Sequence, residues 1–260
     1  MKEIFFLSGL PRAGNTLFGS LMNQNPNVAV TANSITADMM GELFTLKKTD
    51  IFQNYPDHQS FDNVAAKVFE HYYQDWKADY IIDRAPWGMP ANLGFLKHTR
   101  KNIKIIVLVR DVIEVLASFV RWSEREPTAF INKHAKTVEE KCDKLMNRDG
   151  VIVKELIAVK HLLLPQNEGL YHMVEYKDLV EHPKRTIEKI YDYLAIPKFK
   201  HRFINLDQFK VNDMGYDETP VGQRLHTIKT DAIYKETYDA RTIIPKSIID
   251  KYEQCNFWKG

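Results

Sequence analysis

Cysteine is scarce: two residues in 260, Cys142 and Cys255. Two thiols cannot build a disulfide framework, and this pair stands at no metal-ligand spacing, as in a protein of a reducing compartment. Charge of one sign is also lacking, with 36 Lys and Arg against 34 Asp and Glu, net +2. That balance argues against bulk nucleic-acid binding but allows a local basic pocket for a small anion. No apolar run approaches the ~18–20 residues of a membrane span. No repeat or low-complexity segment occurs. The first strand pattern is under way by residue 4, so no signal peptide is expected. The expectation is a soluble, cytoplasmic protein. Its most informative absence is a lysine, at position 15.

The run Ile4-Phe5-Phe6-Leu7-Ser8 stops at Gly9, and Gly14-Asn15-Thr16 opens a helical pattern. A triphosphate-binding loop reads G-x-x-x-x-G-K-[ST], with its Lys on the β- and γ-phosphates. Here Asn15 stands at the Lys position, and a cation appears inside the loop at Arg12. Backbone N–H groups and a helix N-terminus still face an anion. The loop suits a nucleotide whose 5′ group is smaller than triphosphate. Read blandly, Arg12 is a surface arginine beside a turn.

Further along, strands and helices alternate. Strand patterns fall at 3–8, 28–30, 80–82 (ending at Asp83-Arg84), 103–109 and 171–174. Helical patterns fall at 15–25, 35–47, 61–77, 90–98, 111–122, 128–147, 151–164, 184–195 and 245–253. The predicted fold class is α/β: a three-layer P-loop-type domain with a central parallel sheet flanked by helices. One domain over 1–260 is expected, with its core in about 1–200 and an irregular segment, 201–260, covering the nucleotide site. Ligands of such sheets lie at the carboxyl ends of the strands. The loop after strand 1, Asp83-Arg84 and Arg110-Asp111 should therefore share one crevice.

Val107-Leu108-Val109-Arg110-Asp111 ends a buried strand, and Ser118 lies eight residues on, about two helical turns into the next helix. A guanidinium and a hydroxyl so placed can clamp a phosphate. The alternative pairs Arg110 with Asp111, makes Asp111 a helix cap and leaves Ser118 as filler. With the loop at 9–17, the clamp reading implies a nucleotide held at two separate phosphates, a 3′,5′-bisphosphorylated one rather than ATP.

Gly9-Leu10-Pro11-Arg12-Ala13-Gly14-Asn15-Thr16-Leu17 resembles the 5′-phosphosulfate loop of sulfotransferases that use 3′-phosphoadenosine 5′-phosphosulfate (PAPS). It is nearest the tyrosylprotein sulfotransferase-like branch, with its Pro-Arg-x-Gly-x-Thr-Leu. Arg110 with Ser118 resembles that family's 3′-phosphate motif. Tyr176-Lys177-Asp178-Leu179, followed by Pro183, resembles its Y-x-x-L-x-x-x-P segment, whose Tyr lies near the nucleotide. A fainter likeness, Gly222-Gln223-Arg224-Leu225-His226-Thr227-Ile228-Lys229, falls where relatives carry a late basic loop over the nucleotide. The resemblance implies metal-independent sulfuryl transfer to a hydroxyl or amine of a small-molecule or peptidyl acceptor. Pro11 to Leu17, Arg110, Ser118, Tyr176 and Arg224 would hold the donor. Arg12 would sit at the leaving phosphate, and Arg84 would take the role of a cation ahead of an x-Pro.

The general base departs from the family pattern. The tyrosylprotein branch carries a Glu twenty-one residues after the loop Arg, where this chain has Asn33. Asp83, His226, Asp38 and Glu42 are the other candidates. Each also has a bland reading, as an ion-paired carboxylate, a surface histidine or a solvated helix face. Phe69, Tyr72, Tyr73 and Trp76 have the spacing of helix packing. Lys133, Lys136, Lys141 and Lys144 read as a solvated face. Two rival functions remain: a P-loop nucleotide or small-molecule kinase with Asp83 on magnesium, and a nucleotide-binding relative without turnover.

Overall fold

The computed structural model describes residues 2–220, 222, 224–234 and 237–259. Five strands form one parallel sheet: β1 (Glu3–Gly9), β2 (Val28–Val30), β3 (Tyr80–Arg84), β4 (Ile105–Val109) and β5 (Tyr171–Glu175), in spatial order β2-β3-β1-β4-β5. The chain builds one side of β1 through β2 and β3, then crosses to β4 and β5. The carboxyl end of β1 is therefore where successive connections diverge, the place such sheets hold ligands.

Twelve α-helices surround the sheet among the described residues: α1 (Asn15–Met22), α2 (Thr36–Leu46), α3 (Asp50–Asn54), α4 (His58–Tyr72), α5 (Pro90–Thr99), α6 (Val112–Arg125), α7 (Val138–Met146), α8 (Val151–Leu162), α9 (Tyr176–Glu181), α10 (Pro183–Leu194), α11 (Ala240–Ile243) and α12 (Lys246–Tyr252). Alternate strand residues feed opposite cores. Phe5, Leu7, Ile106 and Leu108 join side chains of α1, α6 and α10 on one face. Ile4, Phe6, Ile105 and Val107 join those of α4, α5 and α8 on the other. The three-layer expectation holds, and the strand positions agree within two residues.

Two helical expectations change. The pattern at 128–147 is not one helix. A short 3-10 turn at Phe130–Asn132 is followed by His134 in the left-handed region (φ 65°), and α7 starts afresh behind a capping box. In that box the Thr137 hydroxyl accepts from Glu140 N–H and the Glu140 carboxylate accepts from Thr137 N–H, so two orphan donors are satisfied at once. Two lysines read as solvated then turn inward: Lys144 Nζ donates to the Phe130 carbonyl (2.9 Å) and Lys141 Nζ to Ser123 Oγ (3.1 Å). Likewise α4 begins at His58, capped by Asp57, and stops at Tyr72 rather than running to 77. Phe69 and Tyr73 do pack in the core.

Between 201 and 239 the described chain has only isolated bridges, Ile204 with Ala232 and Val211 with Met214. Side chains rather than a ladder tie it down: Asn23 and Gln24, just past α1, donate to the Lys210 and Arg202 carbonyls, and the Arg12 guanidinium donates to the Leu225 carbonyl.

Gly9 sits at φ +122°, and a Cβ there would lie 2.1 Å from the Leu108 carbonyl oxygen. Gly94, inside α5, would meet nothing within 4 Å. Gly9→Ala is expected to lose more than about 3 kcal/mol in denaturant unfolding, because strain and overlap act together. Gly94→Ala should gain about 0.5–1 kcal/mol by helix propensity. Equal effects of the two substitutions would contradict this geometry of the β1 turn.

Candidate active site

The site grows from the turn between β1 and α1. Leu10 N–H donates to the Leu108 carbonyl (2.8 Å), so the turn leaves from the strand it abuts. Arg12 (φ 61°) and Gly14 (φ 89°) are both left-handed, which folds the loop back over the start of α1. Gly14 is the N-cap and provides no side-chain bond, and the first turn of α1 carries no acid. The opening amides and the positive end of the helix are thus left for an outside anion. Asn15 does not reach outward as the Lys of a triphosphate loop would. Its Nδ2 donates to the Leu10 carbonyl (2.9 Å) and pins the turn from inside. Tyr176 and Leu179, both from the late tyrosine segment, press on Gly14, where a Cβ would lie 3.0 Å and 3.1 Å from their side chains.

The turn faces a cavity of about 970 Å³. Into it the fold gathers Pro11, Arg12, Gly14, Asn15, Thr16 and Leu17 with Arg84, Arg110, Ser118, Tyr176, Arg224 and His226. Of the remaining candidates, Ala13 is fully buried beneath the turn. Asp83 does not line the cavity.

Arg12, Arg110, Ser118 and Tyr176 form a connected group. Arg12 Nε donates to Ser118 Oγ (3.1 Å) and its Nη1 to the Leu225 carbonyl (3.2 Å). Arg110 Nη1 donates to the Arg12 carbonyl (3.2 Å), and the guanidinium lies over the Tyr176 ring at 4.2 Å. Its ion-pair partner is Glu114, at 3.0 Å, rather than Asp111. Asp111 caps α6 by accepting from Ile113 and Glu114 N–H.

Adjacent residues of β3 diverge as strand geometry requires. Arg84 enters the cavity wall, where Nη2 pairs with Glu155 (2.8 Å) and donates to the Gly9 carbonyl (3.2 Å), while Nη1 reaches Asn33 Oδ1 (3.4 Å). Burial pushes the Glu155 carboxyl above its usual range, and Arg84 opposes that shift. Asp83 turns the other way and is fully buried. It accepts from Thr36 Oγ1 (2.6 Å), Ser34 Oγ (3.0 Å), Trp87 Nε1 (3.1 Å) and the Tyr73 hydroxyl. Burial raises its pKa, with those donors acting against it. A carboxyl so enclosed secures the segment beside Asn33 and does not open onto the cavity. Asp38 and Glu42 lie on the exposed side of α2.

His226 is held from behind. Nδ1 bonds Glu218 Oε1 (2.8 Å), and the same carboxylate accepts from the Leu225 and His226 N–H groups. The imidazole stacks on Tyr216 at 4.6 Å. Tyr216 in turn fastens the late segment to the early one: its hydroxyl accepts from Ala32 and Asn33 N–H and donates to the Asn33 carbonyl. Burial lowers the His226 pKa; Glu218 opposes this, and Arg12 and Arg84 lower it further. Of the late basic loop, Arg224 is left-handed (φ 61°) and exposed at the cavity, whereas Gln223 lies outside the described residues.

Three residues here escaped the sequence reading. Glu155 had a signal, as a lone acid inside the apolar helix Val151-Ile152-Val153-Lys154-Glu155-Leu156-Ile157. Tyr216 and Glu218 lie in a tract without periodicity and had none.

No curated protein matches the chain in sequence. Among solved structures, the sulfotransferase domain of the Synechococcus PCC 7002 olefin synthase aligns over 100% of this chain and 95% of its own, with a TM-score of 0.53 and 16% identity. A sulfotransferase from Alicyclobacillus acidocaldarius aligns over 84% and 87% (TM-score 0.54, 11% identity). Mouse sulfotransferase SULT7A1 complexed with PAP aligns over 100% and 85% (TM-score 0.55, 11% identity). These likenesses are of fold. Residues 5–201, from β1 past α10 and through the loop, the Arg110–Ser118 pair and the tyrosine segment, match the sulfotransferase family model, and the chain is an enzyme of the sulfotransferase family.

Proposed function

We propose that the enzyme transfers the sulfuryl group of PAPS to a hydroxyl acceptor and releases adenosine 3′,5′-bisphosphate (PAP). The observation that carries this reading is the contact between the two anion-binding pieces, Arg12 Nε to Ser118 Oγ, with Arg110 on the Arg12 carbonyl. The open amides of α1 and the Thr16 hydroxyl take the 5′-phosphate, and Arg110 with Ser118 takes the 3′-phosphate. Pro11 and Ala13 shape the loop, Leu17 and Tyr176 flank the nucleoside, and Arg224 covers it from the late segment. The structure of SULT7A1 with PAP agrees with this choice of nucleotide. The finer likeness to the tyrosylprotein branch rests on the loop residues alone.

Transfer is in-line: the acceptor oxygen bonds to sulfur as the sulfur–phosphate oxygen bond breaks, and the electron pair leaves with the phosphate. Arg12 neutralises that leaving oxygen, and Arg84 faces the group in transit. Arginines supply the positive charge, and the reading needs no metal. His226 takes the acceptor's proton. An Nδ1–H donated to Glu218 leaves Nε2 as the basic atom, and burial keeps the ring neutral near pH 7. Asp83 supports the site by positioning the segment beside Asn33.

PAP at 100 times its Kd, without Mg²⁺, should raise apparent stability by about 2.7 kcal/mol in a thermal-shift assay. Stabilisation by ATP with Mg²⁺ and none by PAP would favour a kinase. With labelled PAPS, Arg12→Ala should lower transfer about 10²–10³-fold, and a loss under tenfold would remove Arg12 from the centre.

Transfer should be level above pH 7 and fall toward acid, with a midpoint below the ordinary histidine value of 6.5. Glu218 stabilises the imidazolium, so Glu218→Gln should move that midpoint to still lower pH. A midpoint unmoved by Glu218→Gln, or an acid limb retained in His226→Gln, would show another base at work.

A further inference from the structure

Two helices start at the carboxyl ends of central strands, α1 after β1 and α6 after β4, and their first turns are finished in opposite ways. Gly14 caps α1 without a side chain, so its opening amides stay open. The first three amides of α6 are all taken. Asp111 Oδ1 accepts from Ile113 N–H (2.9 Å) and Glu114 N–H (3.3 Å). The third partner lies 144 positions along the chain: Asn256 Oδ1 accepts from Val112 N–H (2.8 Å). None of these three amides is left for a phosphate. On this side of the cavity an anion must be met by side chains, those of Arg110 and Ser118.

The segment after α12 does more than satisfy one donor. Asn256 lies between two short 3-10 turns, Glu253–Cys255 and Phe257–Lys259. Phe257 and Trp258 pack against both hydrophobic clusters, which anchors the segment independently of Asp111. From that anchor Asn256 Nδ2 donates to Asp111 Oδ2 (3.0 Å) and to the Glu253 carbonyl (3.1 Å). Lys259 Nζ donates to the same Asp111 oxygen (2.8 Å). Asp111 thus has one oxygen on α6 and the other on the late segment. Its neighbours fix the orientation of the Asn256 amide, since the reverse would set the amide oxygen against two acceptors. Arg110 is the residue just before this cap. Its Nε donates to the Glu114 carboxylate (3.0 Å), and the Glu114 amide is one of the three that are capped. The aim of the guanidinium therefore follows the start of α6, and Ser118 stands about one turn beyond Glu114 on the same helix.

We propose that Asn256, assisted by Lys259, is a positioning residue for the 3′-phosphate clamp: through Asp111 it fixes the first turn of α6, and with it Arg110 and Ser118. This rests on the reading of Arg110 and Ser118 as the 3′-phosphate site. The late segment then governs recognition of the 3′-phosphate more than that of the 5′-phosphate. The turn before α1 is held by other contacts, those of Asn15, Tyr176 and Leu179.

The test measures Kd by calorimetric titration for PAP and for adenosine 5′-phosphate, which lacks the 3′-phosphate. The ratio of the two reads the clamp and not the general soundness of the fold. Wild type should favour PAP about tenfold or more, and Arg110→Ala should remove most of that preference. Asn256→Ala should lower the ratio about threefold or more, with the Kd for adenosine 5′-phosphate changed less than about twofold. Asn256→Asp keeps an acceptor for Val112 but sets an oxygen against the Asp111 carboxylate and the Glu253 carbonyl. Although closest in shape, it should lower the ratio at least as far as alanine does. Lys259→Glu, a change at an exposed side chain, should lower it in the same sense. Lys251→Ala removes the Lys251–Asp143 ion pair of α12 without touching Asp111, and should leave the ratio unchanged. Ratios within about twofold of wild type in Asn256→Ala, Asn256→Asp and Lys259→Glu would overturn the proposal. So would equal losses for both nucleotides, or an effect of Lys251→Ala as large as that of Asn256→Ala. A wild type without preference for PAP, or a preference retained in Arg110→Ala, overturns the clamp reading instead.

Discussion

The site depends on one close approach, where the end of β1 lies against β4 at Gly9 and Leu108. No Cβ fits there, and the Leu10 amide bonds the Leu108 carbonyl from the same place. The chain must therefore turn away from the sheet at once, through left-handed Arg12 and Gly14, and enter α1 with its first amides unused. Asn15 fastens the turn from inside, and Tyr176 and Leu179 hold Gly14 from outside. A helix N-terminus prepared in this way attracts an anion without carrying a charge of its own.

The cations around the turn are kept in a partly buried place by unequal means. Arg84 is matched to Glu155, Arg110 leans on Glu114 and Tyr176, and Arg12 is held by a hydroxyl and a carbonyl. A guanidinium bound to a carboxylate is largely neutralised, so Arg84 brings less charge to the cavity than its position alone implies. The late segment completes this arrangement. It has almost no ladder of its own, and the Tyr216 hydroxyl and the Glu218 carboxylate place His226 opposite the turn.

Much of the frame was readable from residue order. The apolar runs at Ile4–Leu7 and Ile105–Val109 are continuous because both faces of a central parallel strand are covered. The two glycines of the turn and the eight-residue step from Arg110 to Ser118 survive in one dimension, since each is a local feature of a strand end and the helix after it. The helix expected over 128–147 shows where such reading stops. Its periodicity runs on while a capping box at Thr137 and Glu140 restarts the chain in a new direction. Asp83 shows the other limit: its neighbour Arg84 enters the cavity, and only the pleat decides which of the two is sealed in the core.

The sequence by itself determined an α/β sheet, a glycine-bounded turn lacking the triphosphate lysine, and an arginine at a strand end eight residues before a serine. Periodicity, glycine spacing and residue type are sufficient for those conclusions. Tertiary structure alone decided that Glu155 meets Arg84, that Arg12 bonds Ser118, and that His226 stands over the cavity with Glu218 behind it. Arg12 and Ser118 are 106 positions apart in the chain, and no local pattern encodes a contact made by folding segments that distant onto one sheet edge.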